Sequence, residues 1–412
     1  MSNRNILISF LGVGPLENEK NTSIREYRKA KYRIDGEIFE SSFLSEVLSK
    51  KKKYDKIFIL GTVKSMWEEY YRVLTQMNDT DDLYFELTDT AEKANRNTVP
   101  NLNLYKKLES KLINTKILIM KYGITREELL ENISILTSIE DDLSKGDKID
   151  IDVTHSFRSI PMLSTVFISY LKDVSNKELK IGNVFYGMFE IKSENDNIAE
   201  VVDLSPITEV MEWTKAAYSF NEFGNGYLIS EFLQKEDEYL SKNIRELTDS
   251  LQINFVQKVK SIITRGVKYT KLSKISSLIV PKVIEEFKGH FKTYTDSTSK
   301  KDSILLILLS EYYYIKKIYS SSYIVLDEAI VKYVMEQEEK QGNQKDEDFH
   351  RECKIKIFKE DKYRTIRSQF DTLNKIRNNI GHSLNLNETE RAIKELPEYI
   401  KYFKHIILSN SK

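Results

Sequence analysis

The sequence predicts two unlike halves: an α/β domain on a mostly parallel, Rossmann-like sheet, and then an all-α domain. Three observations carry that expectation. Through residue 204, short apolar runs alternate with longer runs of helical period, the order of a parallel sheet covered by helices. Several apolar runs stop at a small polar turn, and a helical pattern follows. After Pro206 the strand-like runs cease and long helical patterns take over.

Taken in order, residues 5–11 form an apolar strand that ends in Gly12-Val13-Gly14-Pro15, a turn where backbone can come close to a ligand. The full G-x-G-x-x-G is absent, so a dinucleotide cofactor is not supported. A second strand is expected over 27–34, an amphipathic helix over 37–48, and a solvated basic helix end at 50–53. Residues 55–60 are a buried strand, followed by Gly61-Thr62 and then Ser65-Met66-Trp67 where a helix begins. Residues 78–103 are polar, with a partly helical insertion expected. A strand over 116–120 and a helix over 126–143 lead to the stretch that organises the domain.

In that stretch Ile149, Ile151 and Val153 alternate with Asp150 and Asp152, the two-residue period of a strand. Thr154-His155-Ser156-Phe157-Arg158-Ser159 then crowd hydroxyls, an imidazole and a guanidinium into one turn before an apolar helix over 160–171. In an open parallel sheet the carboxyl ends of strands border the ligand crevice, and a helix starting there turns backbone N–H groups toward whatever binds. A phosphate-bearing ligand suits such a turn, although Ser and Thr also serve as ordinary helix caps. Strands over 179–186, ending at Tyr186-Gly187, and 200–204 complete the sheet. The first domain is set at residues 1–205 and the second at 206–412.

The second half reads as helices over 207–223, 227–240, 304–319 and 324–335, with Gly224-Asn225-Gly226 as a turn and a charged loop over 336–348. Near the end stands Arg377-Asn378-Asn379-Ile380-Gly381-His382. Five residues turn a helix by roughly 140°, so a glycine cap at Gly381 is needed for Arg377 and His382 to converge. The next helix is expected to start at Asn387, with Glu390 three residues on as in a capping box. Imidazole titrates near neutrality and can act as a base or orient a hydroxyl, while guanidinium stays charged and matches phosphate geometry. The plain alternative is a helix-terminal cation and a surface turn residue.

Composition narrows the classes. At 412 residues, 40% hydrophobic and 31% charged, the chain has the make-up of a globular protein of two domains. Its one cysteine, Cys353, rules out an internal disulfide and points to a reducing, cytoplasmic setting. No apolar run approaches a membrane span, and no signal-peptide layout opens the chain. Lys plus Arg equals Asp plus Glu at 63 each, so net charge does not advertise a nucleic-acid partner. His290, His350 and His405 lack the second pair that a zinc site needs, and no P-loop occurs. No metal or cofactor is expected.

Asp152-Val153-Thr154-His155-Ser156-Phe157-Arg158 closely resembles the Asp-x-Thr-His-Gly motif of CRISPR-associated CARF sensor proteins, with Ser156 where that family has Gly. Arg377 to His382 resembles the Arg-x4-His signature of HEPN ribonucleases, including the Asn at 378. Both motifs in this order are similar to the CRISPR type III accessory ribonucleases of the Csx/Csm group. Leu60-Gly61-Thr62, Ser65-Met66-Trp67, Tyr186-Gly187 and Asp203-Leu204-Ser205-Pro206 leading into Glu212-Trp213 agree with it.

The resemblance implies a CARF-like first domain and a HEPN-like second. It implies a cyclic oligoadenylate activator, with the tetra-adenylate ring expected ahead of the hexa-adenylate. The ligand set it implies is Gly12, Val13, Gly14, Gly61, Thr62, Ser65, Met66, Trp67, Asp152, Thr154, His155, Ser156, Phe157, Arg158, Tyr186 and Gly187. It further implies metal-independent, allosterically activated cleavage of single-stranded RNA by Arg377, Asn378 and His382 in a homodimer or higher even oligomer. The competing expectation is a non-catalytic nucleotide sensor whose helical domain serves dimerisation or partner binding.

Overall fold

A computed structural model describes residues 4–14, 28–77, 81–155, 160–338, 347–380 and 386–409. The chain divides into two compact units, Met1–Thr208 and Glu209–Lys412. The first is built on strands β1 (Asn5–Leu11), β2 (Ala30–Ile34), β3 (Glu37–Ser41), β4 (Lys56–Gly61), β5 (Thr115–Ile119), β6 (Lys148–Asp152), β7 (Lys180–Met188) and β8 (Ile198–Asp203). They form one sheet in the order β3-β2-β8-β7-β6-β1-β4-β5. The ladders β5-β4-β1-β6-β7 are parallel, β7/β8 and β2/β3 are antiparallel, and β2/β8 is parallel.

Both faces of the central strands are buried, as a covered parallel sheet requires. On β1, Leu7 and Leu11 face one core with Ile57, Ile59, Trp67 and Tyr70. Ile6, Ile8 and Phe10 face the other with Phe58, Leu60, Ile149, Ile151, Phe167 and Leu171. Each such side chain contributes roughly 1.5–3 kcal/mol by leaving water. Helices Leu44–Lys51, Trp67–Leu74, Asp82–Lys93 and Leu102–Glu109 cover the first core, and Arg126–Thr137 and Ile160–Asp173 the second.

Two expectations for this unit are corrected. The helix expected over 37–48 is strand β3 followed by a helix that starts at Leu44. Asp35 and Gly36 both take left-handed backbone, at φ 52° and 84°, and close a two-residue hairpin in which Ile34 pairs with Glu37. The turn overrides the helical spacing of the apolar residues after it. Nor is the basic run at 50–53 only a solvated helix end, because Lys52 Nζ reaches the buried Asp150 carboxylate at 2.7 Å.

The second unit is helical. The pair Asp302–Ile315 and Tyr319–Gln337 forms its centre and is buried on most sides. Ser310 and Ser322 exchange hydrogen bonds with each other's carbonyls at 2.9 and 2.7 Å, a close approach that small side chains permit. The run expected as one helix over 304–319 ends at Ile315, and Lys317 at φ 61° turns the chain into the next. The single run expected over 227–240 is also broken, into Tyr227–Leu233 and Glu238–Gln252. Asp237 makes the break: its carboxylate caps Leu240 N at 2.9 Å and accepts from Thr270 N at 3.0 Å. Among the described residues no helix is long and apolar enough to cross a membrane.

Candidate functional site

The strand order places β4 and β5 on one side of β1, and β6 and β7 on the other, so the sheet reverses its direction of growth at β1. Ligand crevices of open α/β sheets lie at the carboxyl ends beside such a reversal. A cleft of about 440 Å³ is there, lined by Gly12, Val13 and Gly14 after β1, Met66 after β4, Thr154 and His155 after β6, and Phe189 and Lys192 after β7. Because β2 runs opposite to these strands, its amino end adds Arg28, Lys29, Ala30 and Tyr32, and Ser42 follows the carboxyl end of β3. The lining carries three cations and, among the described residues, no carboxylate.

Beneath the cleft each polar group is committed. Asp152 is fully buried, accepting from Ser9 Oγ at 2.7 Å and from Thr154 N at 2.9 Å. Thr154 Oγ1 in turn accepts from Gly187 N at 2.8 Å. Gly12 and Gly187 must lack a side chain: a Cβ on the first would stand 2.8 Å from the His155 carbonyl oxygen, and one on the second 3.0 Å from Thr154 Cγ2. Gly12 O accepts from Met66 N at 3.1 Å and Ser65 Oγ donates to Leu11 O at 2.6 Å, tying the loops after β1 and β4 together.

His155 is the one imidazole of the site. Its ring is enclosed by Tyr32, Phe43 and Phe189, with centroids 6.5, 5.9 and 5.9 Å away. Tyr32 OH lies 3.0 Å from its Nε2. Burial lowers the His155 pKa below its ordinary value, opposed by the Asp152 charge. Burial, aided by the same Asp152 charge, raises that of Tyr32. A phenol that stays protonated can donate to Nε2, which leaves the ring proton of the neutral imidazole on Nδ1. The positive charge for an anion therefore comes from Arg28, Lys29 and Lys192 and not from His155.

Of the expected ligand residues, Gly12, Val13, Gly14, Met66, Thr154 and His155 line the cleft. Asp152, Gly61, Thr62, Ser65, Trp67 and Gly187 lie behind it. Thr62 N takes the Ser65 hydroxyl at 2.9 Å, and Thr62 O takes the Trp67 indole N–H at 2.8 Å. Tyr186 packs with the core of the opposite sheet face and donates to Glu190, which together with burial pushes its pKa up to about 12. Ser156, Phe157 and Arg158 lie outside the described residues. Sequence reasoning missed Arg28, Lys29, Ala30, Tyr32, Ser42, Phe189 and Lys192. The Asp35-Gly36 hairpin signal would have found four of them, by turning the start of β2 toward the carboxyl ends of the other strands.

In the second unit Arg377 stands in the last turn of the helix Arg364–Ile380. Its Nη1 donates to Asn378 Oδ1 at 3.1 Å. Gly381 and His382 lie outside the described residues, and the following helix starts at Leu386, one residue before the expected Asn387. Two of the other histidines do have acidic neighbours, contrary to expectation: His350 Nε2 is 3.0 Å from Glu328 and His290 Nε2 is 3.8 Å from Glu311. Among the described residues no group of three or more His, Cys, Asp or Glu could hold a metal ion.

Residues 6–190 match the family described as CRISPR system endoribonuclease Csx1, CARF domain, and residues 209–301 match CRISPR-associated protein MJ1674, second domain. The CRISPR-associated protein MJ1674 of Methanocaldococcus jannaschii is 35% identical over 276 residues, which cover 62% of this chain and 42% of that protein. The chain thus spans less than half the length of this relative. A solved structure, Enterococcus italicus Csm6 bound to cyclic hexa-2'-fluoro-hexa-dAMP, aligns over 100% of this chain and 96% of its own at 10% identity and a TM-score of 0.38. At that similarity neither ligand nor activity transfers.

Proposed function

The chain is a CARF-domain protein of the CRISPR-associated group, and from that premise we propose that it is a cyclic-oligoadenylate-activated, metal-independent endoribonuclease of single-stranded RNA in type III CRISPR defence. The observation that carries the sensor half is the cleft at the carboxyl ends of β1, β4, β6 and β7, with three cations and no carboxylate in its described lining. A cyclic oligoadenylate has one phosphate per nucleotide and bases that stack on aromatic rings. Arg28, Lys29 and Lys192 supply charge for the former. Two copies of the cleft across a two-fold axis would enlarge the half-site of one chain to the size of a ring.

The effector half is assigned to Arg377, Asn378 and His382. In this reading the ribose 2′-hydroxyl attacks the adjacent phosphorus and loses its proton to His382. A 2′,3′-cyclic phosphate forms as the 5′-oxygen leaves and takes up a proton. Arg377 offsets the charge that develops on the phosphoryl oxygens, and Asn378 holds the guanidinium through the contact at 3.1 Å.

Calorimetry against rings of three to six adenylates, paired with cleavage of a labelled single strand, tests both halves. The tetra-adenylate ring is expected to bind ahead of the hexa-adenylate and to activate cleavage about 5- to 150-fold. Arg377→Ala and His382→Ala should abolish cleavage and leave ring affinity intact. Failure of every ring to bind would remove the sensor reading. Cleavage surviving both variants would remove the assigned site and favour a non-catalytic helical domain.

A further inference from the structure

On the helix Arg364–Ile380, two polar atoms one turn apart are sealed from solvent without a hydrogen-bond partner: Asn374 Oδ1, an acceptor, and Arg377 Nε, a donor. Arg377 Nη1 is engaged by Asn378, so Nε is a donor left over. Positions three apart lie side by side on a helix. Buried polar atoms in folded proteins are as a rule hydrogen-bonded. An orphan acceptor next to an orphan donor therefore specifies its complement, a ligand that donates beside the point at which it accepts.

A phosphodiester by itself only accepts. A ribonucleotide backbone does both, with the phosphate oxygens accepting and the neighbouring 2′-hydroxyl free to donate, whereas a deoxyribonucleotide lacks that donor. We propose that Asn374 is a specificity-determining residue that accepts a hydrogen bond from the 2′-hydroxyl beside the phosphate held by Arg377, so that the site selects RNA over DNA at the binding step. The inference rests on the reading of Arg377 as the phosphate-binding group. It adds that sugar selection precedes the chemistry and has its own residue.

The test uses the full chain carrying His382→Ala, so that nothing is cut, and fluorescence anisotropy with labelled single strands of one sequence in all-ribo and all-deoxy form. The ribo strand is expected to bind roughly tenfold more tightly, the worth of one well-made hydrogen bond. Asn374→Leu in the same background should bring the ribo strand to within about twofold of the deoxy strand while deoxy affinity stays put. Equal binding of the two strands with Asn374 in place overturns the inference and leaves the RNA reading standing, as does a preference that persists in Asn374→Leu. Should the Leu variant fail to fold, Asn374→Ala serves in its place, and the comparison with Asn374 intact decides by itself. Binding of neither strand would overturn the RNA reading and the inference together.

Discussion

Tyr32 and His155 meet at the floor of the cleft, the phenol oxygen 3.0 Å from Nε2, although they lie 123 residues apart. Tyr32 is fully buried. Tyr32→Phe leaves the imidazole without this partner and should cost about 1–2 kcal/mol. Urea unfolding would register it, and an unchanged midpoint would mean that the contact carries no stability.

The acid limb of the stability curve follows from the same ring. The His155 pKa is lowered from 6.5 by burial, so the unfolded chain binds a proton more readily than the folded one. Its contribution is therefore complete above about pH 6.5 and declines as the pH falls toward the lower folded value. His290, also lowered by burial, adds a decline of the same sign in the second unit. His155→Gln should remove part of the slope between pH 7 and pH 5 in denaturation series, and an unaltered slope would show that the ring is not desolvated.

Gly12→Ala places a methyl group 2.8 Å from the His155 carbonyl oxygen, a backbone atom that cannot swing aside. We expect a loss of roughly 1–3 kcal/mol and weakened ring binding in calorimetry, because the loops after β1 and β6 must part. Gly36→Ala is a control of a different kind, since no atom lies within 4 Å of its added Cβ and only its φ of 84° opposes it. It should destabilise without altering ring affinity.

Asp152→Ala would strip the acceptor from Ser9 Oγ and Thr154 N in a fully buried setting. Two stranded donors predict a loss of roughly 2–5 kcal/mol. Thermal melting and ring binding should both fall, and a variant that binds normally would mean that Thr154 is held by other contacts.

In the second unit Glu338 is gripped by Lys362, Tyr363 and Lys356, and these contacts hold its pKa down to about 2. The folded carboxylate keeps its charge below pH 4.5, where the unfolded one takes up a proton. The stability it contributes is thus present above that pH and lost as the pH falls toward about 2. Glu338→Gln should flatten this part of the acid unfolding curve, and a curve that superimposes on the wild type would refute the assignment.

Local chemistry by itself determined the strand through Ile149, Ile151 and Val153, the turn that follows it, and the helix bearing Arg377. Period and turn composition act over a few residues and need no partner from elsewhere in the chain. It likewise marked Gly12, Met66, Thr154 and His155, each of which directly follows a strand. Only the tertiary structure decided which way each strand runs. That direction brings Arg28, Lys29 and Tyr32 to the cleft from the amino end of β2, and no local pattern encodes it, since a strand reads alike in either sense. Pairing register made the remaining choices. Gly187 sits under Thr154 while its neighbour Tyr186 packs on the opposite face, and Asp152 is buried beneath the cleft instead of lining it. A two-residue period fixes only that neighbours face apart; which face meets the ligand depends on what the other strands and helices cover.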